Sequence, residues 1–499
     1  MPASRKKQSG FSALFRRKLP ETGGAGPKLR KVLSAWDLSL MGIGAIVGTG
    51  IFVLTGIVAA TQAGPAVVLS FVIAGFACAF AALAYAELAA SVGGSGSAYG
   101  YSYAAFGEFM AWIIGWDLIL EYGVAVAAVA NGWAGYLKAG LSAAGYAIPE
   151  MLTKGPFATK SVEIAGEMQE IADPGLMNLP AIGIILILMA MLVIGVKQSA
   201  RFNAAMVFVK LLTIFVFIAV ASQHIQPDLW SPFMPFGWFE MAEGGKTVGV
   251  LAGASIVFFA YVGFDAVSTA VEEAKDAQRD VPVGILTSLA FCTIIYIAVS
   301  GLLTGVVSFR ELNVDEPVAF ALTRIGIDWA SALVSTGVIT GLTTVMLVLF
   351  YGLTRIIFSM SRDGLLPHAL GDINATTHTP VRTTVICGVG MAVMAGFLPL
   401  GLLAELVNIG TLAAFVLVCG GVIVMRIRHP EMKRPFKTPG GLLIPLLGAL
   451  SCGALMAFLP VTTHIRFLGW LLIGIVLYFA YGMRHSKLNA PAVKKAKEK

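Results

Sequence analysis

The first apolar span of this chain is interrupted at its own centre. Gly42-Ile43-Gly44-Ala45-Ile46-Val47-Gly48-Thr49-Gly50-Ile51-Phe52 carries four glycines where a bilayer-crossing helix ordinarily holds large aliphatic side chains. A helix opened inside a bilayer leaves amide and carbonyl groups unpaired, and that is tolerated only where the irregular backbone lines a cavity or meets a ligand. Small residues at this spacing also let two helices approach closely. The stretch therefore admits two readings, a binding site and a tight helix crossing.

Composition sets the class. The chain is 57% hydrophobic and 13% charged, and between Asp37 and Glu108 the sole carboxylate, lysine, arginine or histidine is Glu87. With roughly 20 apolar residues needed per crossing, the sequence predicts an all-α polytopic membrane protein of twelve transmembrane helices. These begin near residues 36, 66, 107, 180, 203, 247, 283, 329, 383, 402, 442 and 467. Residues 1–34 read as a basic tail, 35–485 as one membrane domain and 486–499 as a second tail. The first tail holds nine lysines and arginines, and the segment from Arg426 to Lys437 holds five more. Basic segments stay on the cytoplasmic side, so both termini are expected there, in a cytoplasmic (inner) membrane. The first span follows a long tail without a cleavage site and is not expected to be a removable signal. The net charge of +7 then reports topology and attraction to anionic membrane lipid, with no nucleic acid as partner.

The five cysteines all fall in apolar spans without CxxC spacing, as small packing residues do. The six histidines lie in loops or near span ends, which argues against a metal site and against a histidine proton relay at the midplane. No cofactor is expected. A polytopic membrane enzyme would need a converging nucleophile, base or metal constellation, and none is legible; a channel or a receptor are the other readings outside carriers.

A second interruption falls at Ser255-Ile256-Val257-Phe258-Phe259-Ala260-Tyr261-Val262-Gly263-Phe264-Asp265, in the sixth span. The two broken spans open successive groups of five, a 5+5 inverted repeat over about 36–222 and 247–426, with two C-terminal helices appended over about 442–483. Paired broken helices in two halves point to the central site of a transporter.

Further runs add to this pattern: Gly93-Gly94-Ser95-Gly96-Ser97-Ala98-Tyr99, Gly115-Trp116-Asp117-Leu118-Ile119-Leu120-Glu121-Tyr122, Phe264-Asp265, Glu272-Glu273 with Arg279-Asp280-Val281-Pro282, and Ser361-Arg362-Asp363-Gly364-Leu365-Leu366-Pro367. With the stretch from Gly44 to Phe52 they stand in the order expected for amino-acid permeases. Over roughly residues 33–485 the chain resembles the APC superfamily, and within it the cationic amino acid transporter branch with its bacterial ApcT-like proton-coupled permeases. The resemblance implies a LeuT-like fold and import of L-amino acids by proton symport and alternating access. An exchanger, or a carrier of cationic amino acids on the same fold, is the alternative.

The resemblance also implies a site. The substrate carboxylate would lie on the free amides of Gly48, Thr49, Gly50 and Ile51, where the exposed N–H groups of a half-helix favour an anion. Its ammonium would meet carbonyls of Ile46 and of the second break near Phe259 and Ala260, with Val262 and Gly263 completing the wall. Phe259 reads either as a lid or as plain packing. Leu349 would face the side-chain pocket, where no carboxylate waits for a cationic group, so small neutral amino acids are expected.

Charges inside the membrane are costly and usually have a partner or a task. Asp117 and Glu121 share a helical face and read as a bonded pair, or as a relay that tunes the site. Asp265 follows the second break and reads as a brace or cap of the half-helix, or as a part of that relay. By the resemblance, Lys197 is the coupling group, its ammonium set beside the opened carbonyl of Gly44 and the hydroxyls of Thr343 or Thr344. Read from composition alone, Lys197 is a positive-inside anchor. Lys210, deeper in the fifth span, is the rival, with snorkelling as its simplest explanation. The polar segment from about 140 to 179 is expected to fold over the outer mouth, and Gly93 to Tyr99 to form a flexible inner connection.

Overall fold

A capping box starts the first helix: Asp37 N donates to Ser34 Oγ at 3.4 Å, and Ser34 N donates to Asp37 Oδ2 at 2.9 Å. The computed structural model describes residues 16, 31–92, 97–164, 167–195, 200–241, 247–377 and 379–489. Helix α1 (Ala35–Ile46) stops where Val47 turns extended at φ −70°, ψ 100°, and wide helical turns from Gly50 to Ala63 continue the span. Gly64, at φ +62° and followed by Pro65, ends that run, because a left-handed backbone cannot continue a helix.

The remaining principal helices are α2 (Val67–Val92), α3 (Ser97–Ala105), α4 (Glu108–Ala143), α5 (Leu179–Ile194), α6 (Ala200–Ala221) and α7 (Val250–Val257). They continue as α8 (Ala277–Val306), α9 (Pro317–Arg324), α10 (Asp328–Arg362), α11 (Val381–Phe397), α12 (Leu400–Arg428), α13 (Leu443–Ala457) and α14 (Val461–Leu477). Eight helical stretches among the described residues are long and apolar enough to cross a bilayer, and α1, α5, α11 and α13 are shorter apolar helices. Phe76, Phe208, Ile294, Leu450 and Leu468 lie exposed on the outside of the bundle, the arrangement of a surface solvated by lipid tails.

Helices in lipid gain little from hydrophobic exclusion and associate through close packing at small residues. α8 packs along α1 and α2, α4 along α10 and α12, and α5 along α11. At the α1/α8 crossing a Cβ on Gly42 would stand 2.4 Å from Ser288 Oγ, and at the α6/α10 crossing one on Gly341 would stand 2.7 Å from the Lys210 stem. The two chain ends meet at one end of the bundle. Glu108 N donates to Arg16 O at 2.8 Å, and the Glu108 carboxylate accepts the hydroxyls of Tyr103, Tyr478 and Ser486 at 3.2, 3.1 and 2.6 Å.

The expectation of a wholly helical chain needs one correction. The segment after α4 contains an antiparallel hairpin, β1 (Thr159–Ile164) with β2 (Glu167–Ala172), in register Thr159 with Ala172, and a two-residue pair joins Glu240–Met241 to Thr247–Val248. β-Branched Thr159, Val162, Ile164 and Ile171 suit a strand, but a reading built on apolar spans passes over so short a polar segment. Lys154, paired with Asp173 at 2.6 Å and Glu150 at 3.1 Å, closes the base of the hairpin. In the connection expected to be flexible, residues 93–96 lie outside the described residues and the chain is helical from Ser97.

Candidate functional site

The two interrupted helices meet backbone to backbone. Among the described residues the amides of Gly48, Thr49, Gly50 and Ile51 have no backbone acceptor, as expected of the opening turn of a helical segment. α7 ends at Val257, a tight turn covers Phe258–Tyr261, and then Val262 is extended and Gly263 takes φ +115°. A Cβ on Gly50 would stand 2.2 Å from Ala260 Cα, and one on Gly263 would stand 3.0 Å from Ala45 O. At Gly48 the nearest atom to such a Cβ would be a Val345 methyl at 3.7 Å, so this glycine borders space that Gly50 lacks. Gly42 and Gly50 permit tight crossings, and the backbone departs from the helix at Val47 between them.

Three side chains hold the breaks in place. The Tyr296 hydroxyl, from α8, lies 2.9 Å from Ile46 O and 2.8 Å from Ala260 O, the carbonyls that end each broken segment. A hydroxyl donates one proton, so it satisfies one of these carbonyls at a time. Asn408, wholly buried on α12, donates through Nδ2 to Ser255 O at 2.9 Å and Ile256 O at 3.0 Å in the last turn of α7. Thr49 packs against Gly132 of α4, where a Cβ would stand 2.6 Å from its Cγ2. Its Oγ1 is buried without a hydrogen-bond partner among the described residues. Sequence reasoning passed over Tyr296 and Asn408. The available signal was a polar group within an apolar span, which must find a partner there.

The lysine against the first break is Lys210. Its Nζ donates to Gly44 O at 2.7 Å and Val47 O at 3.2 Å, and the residue is 1% exposed, which rules out snorkelling. Lys197 lies outside the described residues. Thr343 Oγ1 accepts from Trp133 Nε1 at 3.0 Å and donates to Ile339 O at 2.8 Å, while Thr344 Oγ1 donates to Gly341 O at 2.8 Å. Lys210 thus binds two carbonyls of the first break, its stem running over Gly341 of α10, while Thr343 and Thr344 bond elsewhere.

Ile46, Ile51, Phe259, Ala260, Val262 and Leu349 are all buried. The carboxylates Asp117, Glu121 and Asp265 are each 2% exposed. Asp265 makes no capping bond to the short helix after it; its Oδ2 instead accepts the Tyr122 phenol of α4 at 3.0 Å. This bond links the second break to α4. Oδ1 of Asp117 and of Asp265, Oγ1 of Thr411 and the hydroxyls of Tyr85 and Tyr101 are buried without partners among the described residues.

Known proteins bear on this arrangement. A family described as amino acid permease matches residues 33–481. The chain is 47% identical over 482 residues to the methylthioribose transporter of Bacillus subtilis, covering 96% of this chain and 100% of that protein. It is 48% identical over 462 residues to the branched-chain amino acid permease BcaP of the same organism, covering 92% and 95% of the two chains. With the cationic amino acid transporter 4 of Homo sapiens it shares 36% identity over 416 residues, 83% of this chain and 62% of that one. The chain belongs to the amino acid permease family of the APC superfamily, and it is a membrane transporter rather than an enzyme.

Proposed function

We propose that this transporter imports neutral amino acids with apolar side chains by proton symport and alternating access, with Lys210 as the coupling group. The reading takes twelve spans in a 5+5 inverted repeat plus two C-terminal helices, within the inner membrane and with both termini cytoplasmic. The contact of Lys210 with Gly44 and Val47 carries it. An ammonium there makes two ion–dipole bonds to the opened backbone. A neutral amine loses most of that attraction, so the proton state of one side chain biases how α1 sits on α6.

Substrate recognition follows from the same backbone. The amides of Gly48 to Ile51 offer donors for a carboxylate, and Thr49 Oγ1 offers one more. Ile46 O and Ala260 O share the one Tyr296 proton, which leaves acceptor capacity for an ammonium. Val262, Phe259 and Leu349 would close an apolar side-chain pocket, in keeping with a relative named for branched-chain amino acids.

A relative named for methylthioribose supports a second reading, a neutral thioether sugar as substrate, for which the carboxylate cradle has no use. Uptake of labelled valine into sodium-free proteoliposomes with an alkaline interior tests the choice, with leucine, alanine, arginine and methylthioribose as competitors. Concentrative uptake inhibited by leucine and alanine is expected. Competition by methylthioribose alone would reject the amino-acid reading, and a strict sodium requirement would reject proton coupling.

A further inference from the structure

We propose that Tyr136 is a positioning residue of the outer gate, one phenol that ties the outer half of the first span to α4 where the start of α9 packs on both. The inference rests on the alternating-access reading and on its assignment of the end away from the termini as outer.

Tyr136 is wholly buried on α4, one helical turn beyond Gly132, the residue on which Thr49 packs. Its hydroxyl donates to Phe52 O at 2.8 Å, in the wide helical turns just past the carboxylate cradle. The start of α9, at Val318 and Ala319, lies near the same phenol. The amides of that turn are the donors a helix leaves free at its start, and Glu316, the N-cap residue of α9, makes no side-chain cap bond to them. The one proton of the phenol is spent on the first span, and the start of α9 packs beside it.

The surrounding backbone is shaped for this closure. A Cβ on Gly56 would stand 2.4 Å from Pro317 Cβ, so the outer half of the first span lies directly against the start of α9. One on Gly135 would stand 2.6 Å from Asp315 Cβ, which presses the same junction onto α4. Lys138, one turn further along α4, stands 4.0 Å from Asp315. Opening a route from this end to Thr49 requires α9 and the outer half of the first span to leave α4, and the hydrogen bond of Tyr136 to Phe52 O must break for that to happen.

The test is Tyr136→Phe, which keeps the ring and removes the hydroxyl. Two reporters are read in proteoliposomes with a membrane-impermeant thiol reagent: Thr55→Cys in the outer half of the first span, and Ser268→Cys beyond the second break. Cys387, the half-exposed native thiol, is changed to alanine in every background. In the parent, saturating substrate should move the two labelling rates in opposite directions. Tyr136→Phe should raise outside labelling of Thr55→Cys about tenfold, the factor that corresponds to 1.4 kcal/mol or about one hydrogen bond. It should also slow inside labelling of Ser268→Cys. Unchanged rates, or a rise at both reporters as a loosened fold would give, overturn the role of Tyr136. Reporters in the parent that ignore substrate overturn alternating access itself, and this inference with it.

Discussion

Lys210 and Gly44 lie 166 positions apart in the chain, and Nζ of the first donates to the carbonyl of the second at 2.7 Å. The bond reaches from the middle of α6 to the last turn of α1. It places a titratable group on the backbone just before the amides of Gly48 to Ile51 that lack a backbone acceptor among the described residues.

Tyr296 should prove as important to binding as the glycines. Removing its hydroxyl leaves Ile46 O and Ala260 O short of a donor in a buried site, at a cost of about 1–3 kcal/mol. Tyr296→Phe is expected to weaken substrate binding by roughly 5- to 150-fold, measured by calorimetry on purified protein. Unchanged affinity would show that the two carbonyls do not need this donor.

Two neighbouring glycines should respond differently to alanine. Gly50→Ala drives a methyl into the Ala260 backbone and should cost about 1–3 kcal/mol of stability together with transport. Gly48→Ala meets only a Val345 methyl at 3.7 Å and should fold normally. Thermal unfolding in detergent and uptake, measured for both, checks the contrast; equal stability of the two variants would contradict it.

Glu87 should be a staple between α2 and the segment that follows α12. Its carboxylate accepts Arg426 Nε at 2.9 Å and Thr438 N at 2.8 Å, takes a second Arg426 nitrogen, and lies 3.5 Å from Arg434 Nε. Both arginine side chains are at most 10% exposed, so Glu87→Gln strands buried charge and should cost about 3–5 kcal/mol. A chemical or thermal unfolding midpoint equal to that of the wild type would contradict this.

Glu316 should make stability depend on pH. Burial beside Asp315 pushes its carboxyl up to about 7 from an ordinary 4.5. The folded state therefore holds the proton more tightly, and stability falls as pH rises between about 4.5 and 7. Glu316→Gln should match the wild type at the acid end of that window and exceed it at pH 8, read as unfolding midpoints. Parallel curves across the range would contradict the assignment.

The places where the backbone opens were legible because they are local. A glycine run and a tight aromatic-to-glycine stretch disturb the apolar pattern where they stand, and Val47 and Gly263 depart from helical geometry within those stretches. What stabilises the openings was not legible, because Tyr296, Asn408 and Lys210 reach them from other helices. Hydropathy alone cannot show which face a lone polar side chain occupies. For the same reason Lys210 read only as a rival to Lys197, with snorkelling as its simplest explanation, although it is buried against Gly341 and Gly44. The hairpin of residues 159–172 escaped notice because its order comes from strand pairing and from Lys154 at its base, not from an apolar run.

The most direct measurement is uptake by wild-type and Lys210→Met proteoliposomes under an imposed pH gradient, in sodium-free buffer. Methionine keeps much of the length of the stem over Gly341 but carries no proton and no charge to set on Gly44 O. The wild type should accumulate substrate when the interior is alkaline. Lys210→Met should still bind substrate and lose that accumulation. Equal pH-driven accumulation by both proteins would contradict Lys210 as the coupling group.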